Sequence, residues 1–116
     1  METKPDIESL VEEATFQYTI GNETEAITQL KTLTEENPDC FNAWHALAEI
    51  SLSAQNYHQA LEAGLKAVAL EPENVHINTS LSRIYMKMGD RELAEKYGAQ
   101  ARTLGWKETL KEPNDN

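Results

Sequence analysis

The sequence predicts an all-α chain in which antiparallel helix pairs stack in a row, an α-solenoid. Three observations predict it. Apolar residues recur at three- and four-residue steps along most of the 116 residues, the spacing that gathers them on one side of a helix. Pro38 and Pro72 stand 34 residues apart, each closing a helix-period stretch, because a residue before proline is pushed out of helical backbone. The same step brings small residues into register. Ala14, Ala48 and Ser82 share one column, and Ala26, Ala60 and Ala94 another. Small side chains let two antiparallel helices approach closely, so the columns have a packing reason, and a fixed period of this length marks a repeat architecture.

The elements follow in order. Residues 1–5 are polar and expected to fray. Pro5 suits the start of a first helix, with Asp6 and Glu8 favourably placed at its positive end. That helix spans about Asp6 to Ile20, with Leu10, Ala14, Gln17 and Tyr18 along one side, and Gly21-Asn22 ends it. The second starts near Glu23 and buries Ala26, Ile27, Leu30 and Leu33 before Pro38 stops it. The third starts at Asp39 or Cys40 with Phe41, Trp44, Leu47, Ala48 and Leu52 inside, and ends at Ala54-Gln55-Asn56. Asn56 caps the fourth, which carries Ala60, Leu61, Leu65, Ala67, Val68 and Leu70 up to Glu71-Pro72. Asn74 caps the fifth, with Ile77, Leu81, Ile84 and Tyr85 inside, and Gly89-Asp90 repeats the first turn. The sixth spans about Arg91 to Thr103 with Leu93, Ala94, Tyr97 and Ala101 inward.

Trp106 stands where a third proline would fall. Trp106 and Leu110 share a face, with Lys107, Lys111 and Glu112 outward. They are expected to form a short C-terminal capping turn folded back over the fifth and sixth helices. The competing expectation is a homo-oligomer interface at this end, around Trp106.

Within Phe41–Asn74, the residues Trp44, Leu47, Ala48, Ala60, Ala67 and Pro72 fall on the W-x2-L-G…A…P signature of the tetratricopeptide repeat. The chain resembles three tandem repeats of this family, Ile7–Cys40, Phe41–Asn74 and Val75–Glu108, in a single domain over 1–116 with a polar tail at 109–116. The first repeat departs most, with Leu10 in the column of Trp44 and Glu13 in the column of Leu47. Glu13 is expected at the open N-terminal edge, since a buried carboxylate is costly.

The resemblance implies a right-handed superhelix of three antiparallel helix pairs, with the first helix of each pair lining the concave side. Carried onto this chain, that wall holds Glu8, Val11, Glu12, Thr15 and Tyr18, then Asn42, His45, Glu49, Leu52 and Ser53, then His76, Thr79, Arg83, Met86 and Lys87. It grades from acidic to basic. Tyr18, Leu52 and Met86 form an apolar row in one column, which reads equally as ligand contact or as packing between repeats. The function implied is a non-catalytic adaptor binding a peptide or protein partner in the groove, or alternatively a small chaperone or assembly factor for one client. Family members that hold the carboxylate tail of a heat-shock chaperone use Lys, Asn and Arg. Those places here are Val11, Thr15, Ala46, His76 and Ser80. Only His76 can carry positive charge, so that ligand is not implied.

Composition narrows the classes further. Twenty acidic against 10 basic residues give a net charge of −10, which argues against a nucleic-acid ligand and against an anionic membrane surface. Cys40 is the single cysteine, so no internal disulfide forms, and it reads as a linker residue. The stretch METKPDIESLVEE lacks the basic and apolar runs of a secretory leader, and no apolar run is long enough to span a bilayer. A cytoplasmic location is expected. The sequence has no glycine-rich phosphate loop, H-E-x-x-H, G-x-S-x-G or C-x-x-C, so no enzyme and no cofactor is expected. His45, Glu49 and His76 read as polar groove lining rather than a metal site, and His58 as an outward residue.

Overall fold

A computed structural model describes residues 6–111 as six α-helices: α1 (Ile7–Thr19), α2 (Glu23–Glu36), α3 (Phe41–Ser53), α4 (Tyr57–Leu70), α5 (Val75–Lys87) and α6 (Arg91–Lys111). The expectations for Pro5, for fraying of 1–5, and for Glu112 and the end of the polar tail lie outside the described residues.

Side chains fix several helix starts. Asp6 accepts the Ser9 N–H at 2.8 Å, Asn74 that of Ile77 at 3.0 Å, and Asp90 that of Leu93 at 3.1 Å. Each fills one of the amide donors a helix start leaves free. Asn22 and Asn56 cap no amide with their side chains. Asn56 therefore starts α4 without the bond expected of it, and its Nδ2 instead donates to Gln59 at 3.1 Å. The turn inside each pair passes through left-handed backbone at one column: Gly21 (φ 97), Gln55 (φ 65) and Gly89 (φ 86).

The helices pack in pairs, α1 on α2, α3 on α4 and α5 on α6. Between pairs, α2 touches α3 and α4 touches α5. The first helices also touch one another, α1 on α3 and α3 on α5, whereas α2, α4 and α6 do not meet among the described residues. Spacing that is tight on one side and open on the other bends the stack, and the concave side carries α1, α3 and α5.

The small columns lie at the pair interfaces. Ala14, Ala48, Ala26 and Ala60 have no exposed surface and Ala94 is 1 % exposed. Ser82 completes its column by donating to the Ala94 carbonyl at 2.7 Å. One apolar cluster joins the first two pairs through Leu30, Leu33, Leu47 and Ile50, and a second joins the last two through Leu52, Ala60, Leu81 and Ile84. Full burial of each such leucine or isoleucine stabilises the fold by about 1.5–3 kcal/mol.

The loops between pairs are tied down by a repeated bond. The Trp44 indole N–H donates to the Pro38 carbonyl at 2.9 Å. One period later, Asn78 donates to the Pro72 carbonyl at 3.1 Å and to the Asn74 carbonyl at 2.8 Å. Two unlike side chains in one column thus hold equivalent carbonyls.

Two further sequence expectations are corrected and one is met. The short C-terminal turn does not fold back over α5 and α6. Instead α6 runs unbroken for 21 residues to Lys111, leaving Trp106 and Leu110 each 68 % exposed. Pro38 and Pro72 stop α2 and α4, but Trp106 keeps its N–H, and Gly105 lowers helix propensity without breaking the helix. Leu65 and Leu70, expected inside α4, are on its outer side, because the second helices do not meet and leave that flank uncovered. Glu13 is exposed at the N-terminal edge, as its chemistry requires.

Candidate functional site

The first helices place side chains on the concave wall one turn apart, and the 34-residue step sets matching columns side by side. Between α3 and α5 lies a cavity of about 350 Å³ lined by His45, Glu49, His76, Thr79, Ser80 and Arg83. Five of these six are expected wall residues, brought from two helices into one patch.

Glu49 is its hub. His45 Nε2 stands 3.6 Å from one carboxylate oxygen, and Arg83 Nη1 stands 3.9 Å from the other. Ser80 Oγ also reaches the carboxylate and lies 3.0 Å from the His76 carbonyl. A hydroxyl has one proton, and the carboxylate is the stronger acceptor. The His45 imidazole is the main cause holding the Glu49 carboxyl below its usual range, against the opposing effect of part-burial, with Ser80 and Arg83 adding to the depression. Glu49 is therefore ionised at neutral pH. Arg83 remains largely exposed, with 61 % of its side chain accessible.

Between α1 and α3 the same step pairs Glu8 with Asn42, whose Nδ2 donates to both carboxylate oxygens at 3.0 and 3.2 Å. Glu12, Thr15 and Ser53 are exposed on this side, as are His76, Thr79 and Lys87 on α5. Thr15 and Thr79 turn their hydroxyls back to the carbonyls of Val11 and Val75, at 2.9 and 3.0 Å, so these donors are already used.

Two wall residues are not accessible. Val11 is 9 % and Leu52 6 % exposed, each part of an apolar cluster. Tyr18 packs on the first cluster, while Met86, in the same column as Leu52, is 56 % exposed. The apolar row is thus packing between repeats wherever a following repeat covers it, and open surface only at Met86. Ser80, named in the sequence only as one of the places where other family members hold a carboxylate tail, joins the wall residues here.

Among the described residues, no group of three or more His, Cys, Asp and Glu is placed to hold a metal ion. No helix there is long and apolar enough to cross a membrane. Cys40 is half-buried at the start of α3, and His58 is exposed on α4.

Stacked helix pairs with a lined concave wall define a helical-repeat solenoid of the tetratricopeptide type, a class built around interaction surfaces. The chain belongs to the ChAPs family (Chs5p-Arf1p-binding proteins), whose family model matches residues 1–96. It is 40 % identical over 58 residues to human general transcription factor 3C polypeptide 3, covering 50 % of this chain. It is 38 % identical over 76 residues to cellulose synthase operon protein C of Pseudomonas fluorescens (strain SBW25), covering 65 % of this chain. The match spans 6 % of each relative's length. Among solved structures, MamA superposes with a TM-score of 0.82 at 22 % identity, covering 89 % of this chain and 60 % of that one. A chain of the CopN-Scc3 complex superposes with a TM-score of 0.80 at 22 % identity, covering 88 % and 60 %. These two likenesses establish the fold.

Proposed function

We propose that the chain is a non-catalytic interaction module of three tetratricopeptide units, 7–40, 41–74 and 75–108, in a single domain, binding a peptide or protein on its concave wall. The observation that carries this reading is the α3/α5 cavity, where an ionised Glu49 and a largely exposed Arg83 stand beside two histidines. Both signs of charge within one cavity suit a peptide that presents a donor and a carboxylate a few ångströms apart, with Met86 as an apolar contact beyond. The charge grading along the wall, from Glu8 and Glu12 to Arg83 and Lys87, would fix the direction of the bound segment. A cytoplasmic setting fits a chain whose one thiol, Cys40, has no partner cysteine.

The family's description supports a protein partner and names two, so the counterparts of Chs5p and Arf1p in the source organism are the first to try. Other partners are sought by affinity capture with mass spectrometry and then titrated as purified proteins. A partner bound on the wall is expected to lose at least tenfold in affinity on Arg83→Glu and on His76→Glu. The outer-helix change Glu62→Lys should leave its affinity unchanged. A partner that binds both wall variants as tightly as the wild type, with helicity intact, removes the wall as the site.

A further inference from the structure

We propose that the two ends of the stack are complementary, and that the chain associates head to tail with copies of itself. The joint between α4 and α5 shows how one pair receives the next. A Cβ on Gly64 would lie 2.9 Å from Leu81 Cδ2 and 3.6 Å from Ile84 Cδ1. Leu81 and Ile84 are therefore knobs seated over a glycine floor, and both are fully buried. Leu52 and Val68 pack in the same cluster and wall the seat.

Both halves of this joint recur unfilled at the ends. Two periods before Ile84 stands Phe16, 56 % exposed, and one turn further Ile20 is 54 % exposed. One period after Gly64 stands Gly98, in a groove of about 300 Å³ lined by Thr79, Ser82, Arg83, Gly98, Ala101 and Arg102. Met86, 56 % exposed, takes the place of Leu52 beside it. Among the described residues nothing covers either face. The N-terminal end carries the knobs and the C-terminal end the seat.

Charge identifies a second copy as the occupant. Among the positions that break the apolar pattern of the joint, two do so at opposite ends and with opposite sign. Glu13 replaces the knob leucine of Leu47 and Leu81, and Arg102 replaces the wall residue Val68. Seating α1 of one copy in the groove of another, as α5 sits on α4, brings Glu13 to Arg102 and Phe16 to Met86. Among the described residues Arg102 pairs with Glu95 at 3.6 Å, with both side chains largely exposed, a contact that solvent weakens. A head-to-tail contact does not close on two copies, so the association extends without a fixed end point. Thr79 and Arg83 border both this groove and the concave wall, whereas Glu13, Phe16 and Arg102 lie off the wall.

Sedimentation of the full 116-residue chain from about 10 μM to 1 mM, a range suited to weak association, tests the proposal. The average mass is expected to rise with concentration and pass the dimer. Glu13→Arg and Arg102→Glu are each expected to weaken association at least tenfold, and mixing the two variants should restore it. The sign of the first is diagnostic. Glu13→Arg reduces the overall net charge from −10 to −8, which would strengthen an association opposed only by general repulsion, yet here it must weaken. Circular dichroism confirms that each variant is folded, and Phe16→Glu gives an independent loss. A monomer at every concentration overturns the proposal, whether another segment or another protein covers the ends. So does a dimer plateau that neither charge reversal moves.

Discussion

Glu49 and Arg83 hold the same column of successive repeats, and the carboxylate and guanidinium stand 3.9 Å apart across the wall. Asn42 and Glu8, also 34 residues apart, meet at 3.0 Å. The repeat step therefore sets like-numbered side chains beside one another, so a substitution in one column changes the chemistry of the joint. Glu49 tests this by pH. Its folded carboxyl lies below its usual value of 4.5, chiefly through His45. A depressed carboxylate contributes stability that is full above the unfolded pKa and is lost as pH falls through the folded one. The wild type should exceed Glu49→Gln in urea midpoint at pH 7, and the gap should close as pH falls below 4.5. A gap constant from pH 7 to pH 3 would mean the carboxylate is energetically silent. Because the side chain is 39 % accessible, solvent keeps the effect small.

Gln55 occupies left-handed backbone (φ 65) at the column where Gly21 and Gly89 stand. A side chain there costs about 1–2 kcal/mol through crowding of its Cβ, and glycine returns part of that by losing more freedom on folding. Gln55→Gly is expected to stabilise the chain by about 0.5–1 kcal/mol, seen as a rise in thermal midpoint of a few degrees. A fall in midpoint would show that the Gln55 side chain earns its place by contacts that outweigh the strain.

Trp44 and Asn78 share a column and bond the carbonyls of Pro38 and Pro72. Loss of the Asn78 amide takes its donor from the Pro72 carbonyl, while the Asn74 carbonyl keeps the Asn78 backbone N–H. Asn78 itself has no exposed surface, and Asn78→Leu is expected to cost about 2 kcal/mol through the lost bonds and the repacking of a filled site. Trp44→Phe keeps much of the apolar ring and removes only the N–H, and should cost about 1 kcal/mol. Chemical denaturation measures both. Equal losses would mean the column acts by packing alone.

The fold was legible because its signals are periodic. Two prolines and two small-residue columns repeat at the 34-residue step and a glycine turn at twice that step, and apart from the end of α6 the helices begin and end within a few residues of where those signals place them. The end of α6 was not legible. The rule that proline stops the helix says nothing about a proline-column position occupied by tryptophan. Of the wall, the positions of His45, Glu49, His76, Thr79 and Arg83 were readable because the resemblance puts the first helix of each pair on the concave side, and an exposed polar residue there needs no knowledge of depth. Val11 and Leu52 were not, since a helix position between wall and core reads the same in sequence whether the next repeat covers it or not. The bonds made by Ser80 and Asn78 escaped notice for a related reason. Their roles come from acceptors on another element, Glu49 and the Pro72 carbonyl, which no spacing within α5 reveals.

Trp106 shows what the missing proline does. Pro38 and Pro72 lie two residues beyond the last residues of α2 and α4, and Trp106 stands in their column within an unbroken α6. Proline inside a helix removes a hydrogen bond and clashes with the preceding turn, at about 3 kcal/mol. Trp106→Pro should therefore end α6 near Leu104 and release residues 105–111, lowering the helical signal in circular dichroism. Of those residues all but Gly105 are exposed, so the break removes little packing and the thermal midpoint should move by no more than a few degrees. Amide exchange should quicken from Gly105 onward and remain slow around Ala94 and Ala101, which are buried in the pair interface. A collapse of the midpoint would instead mean that the extension of α6 carries contacts the whole stack depends on.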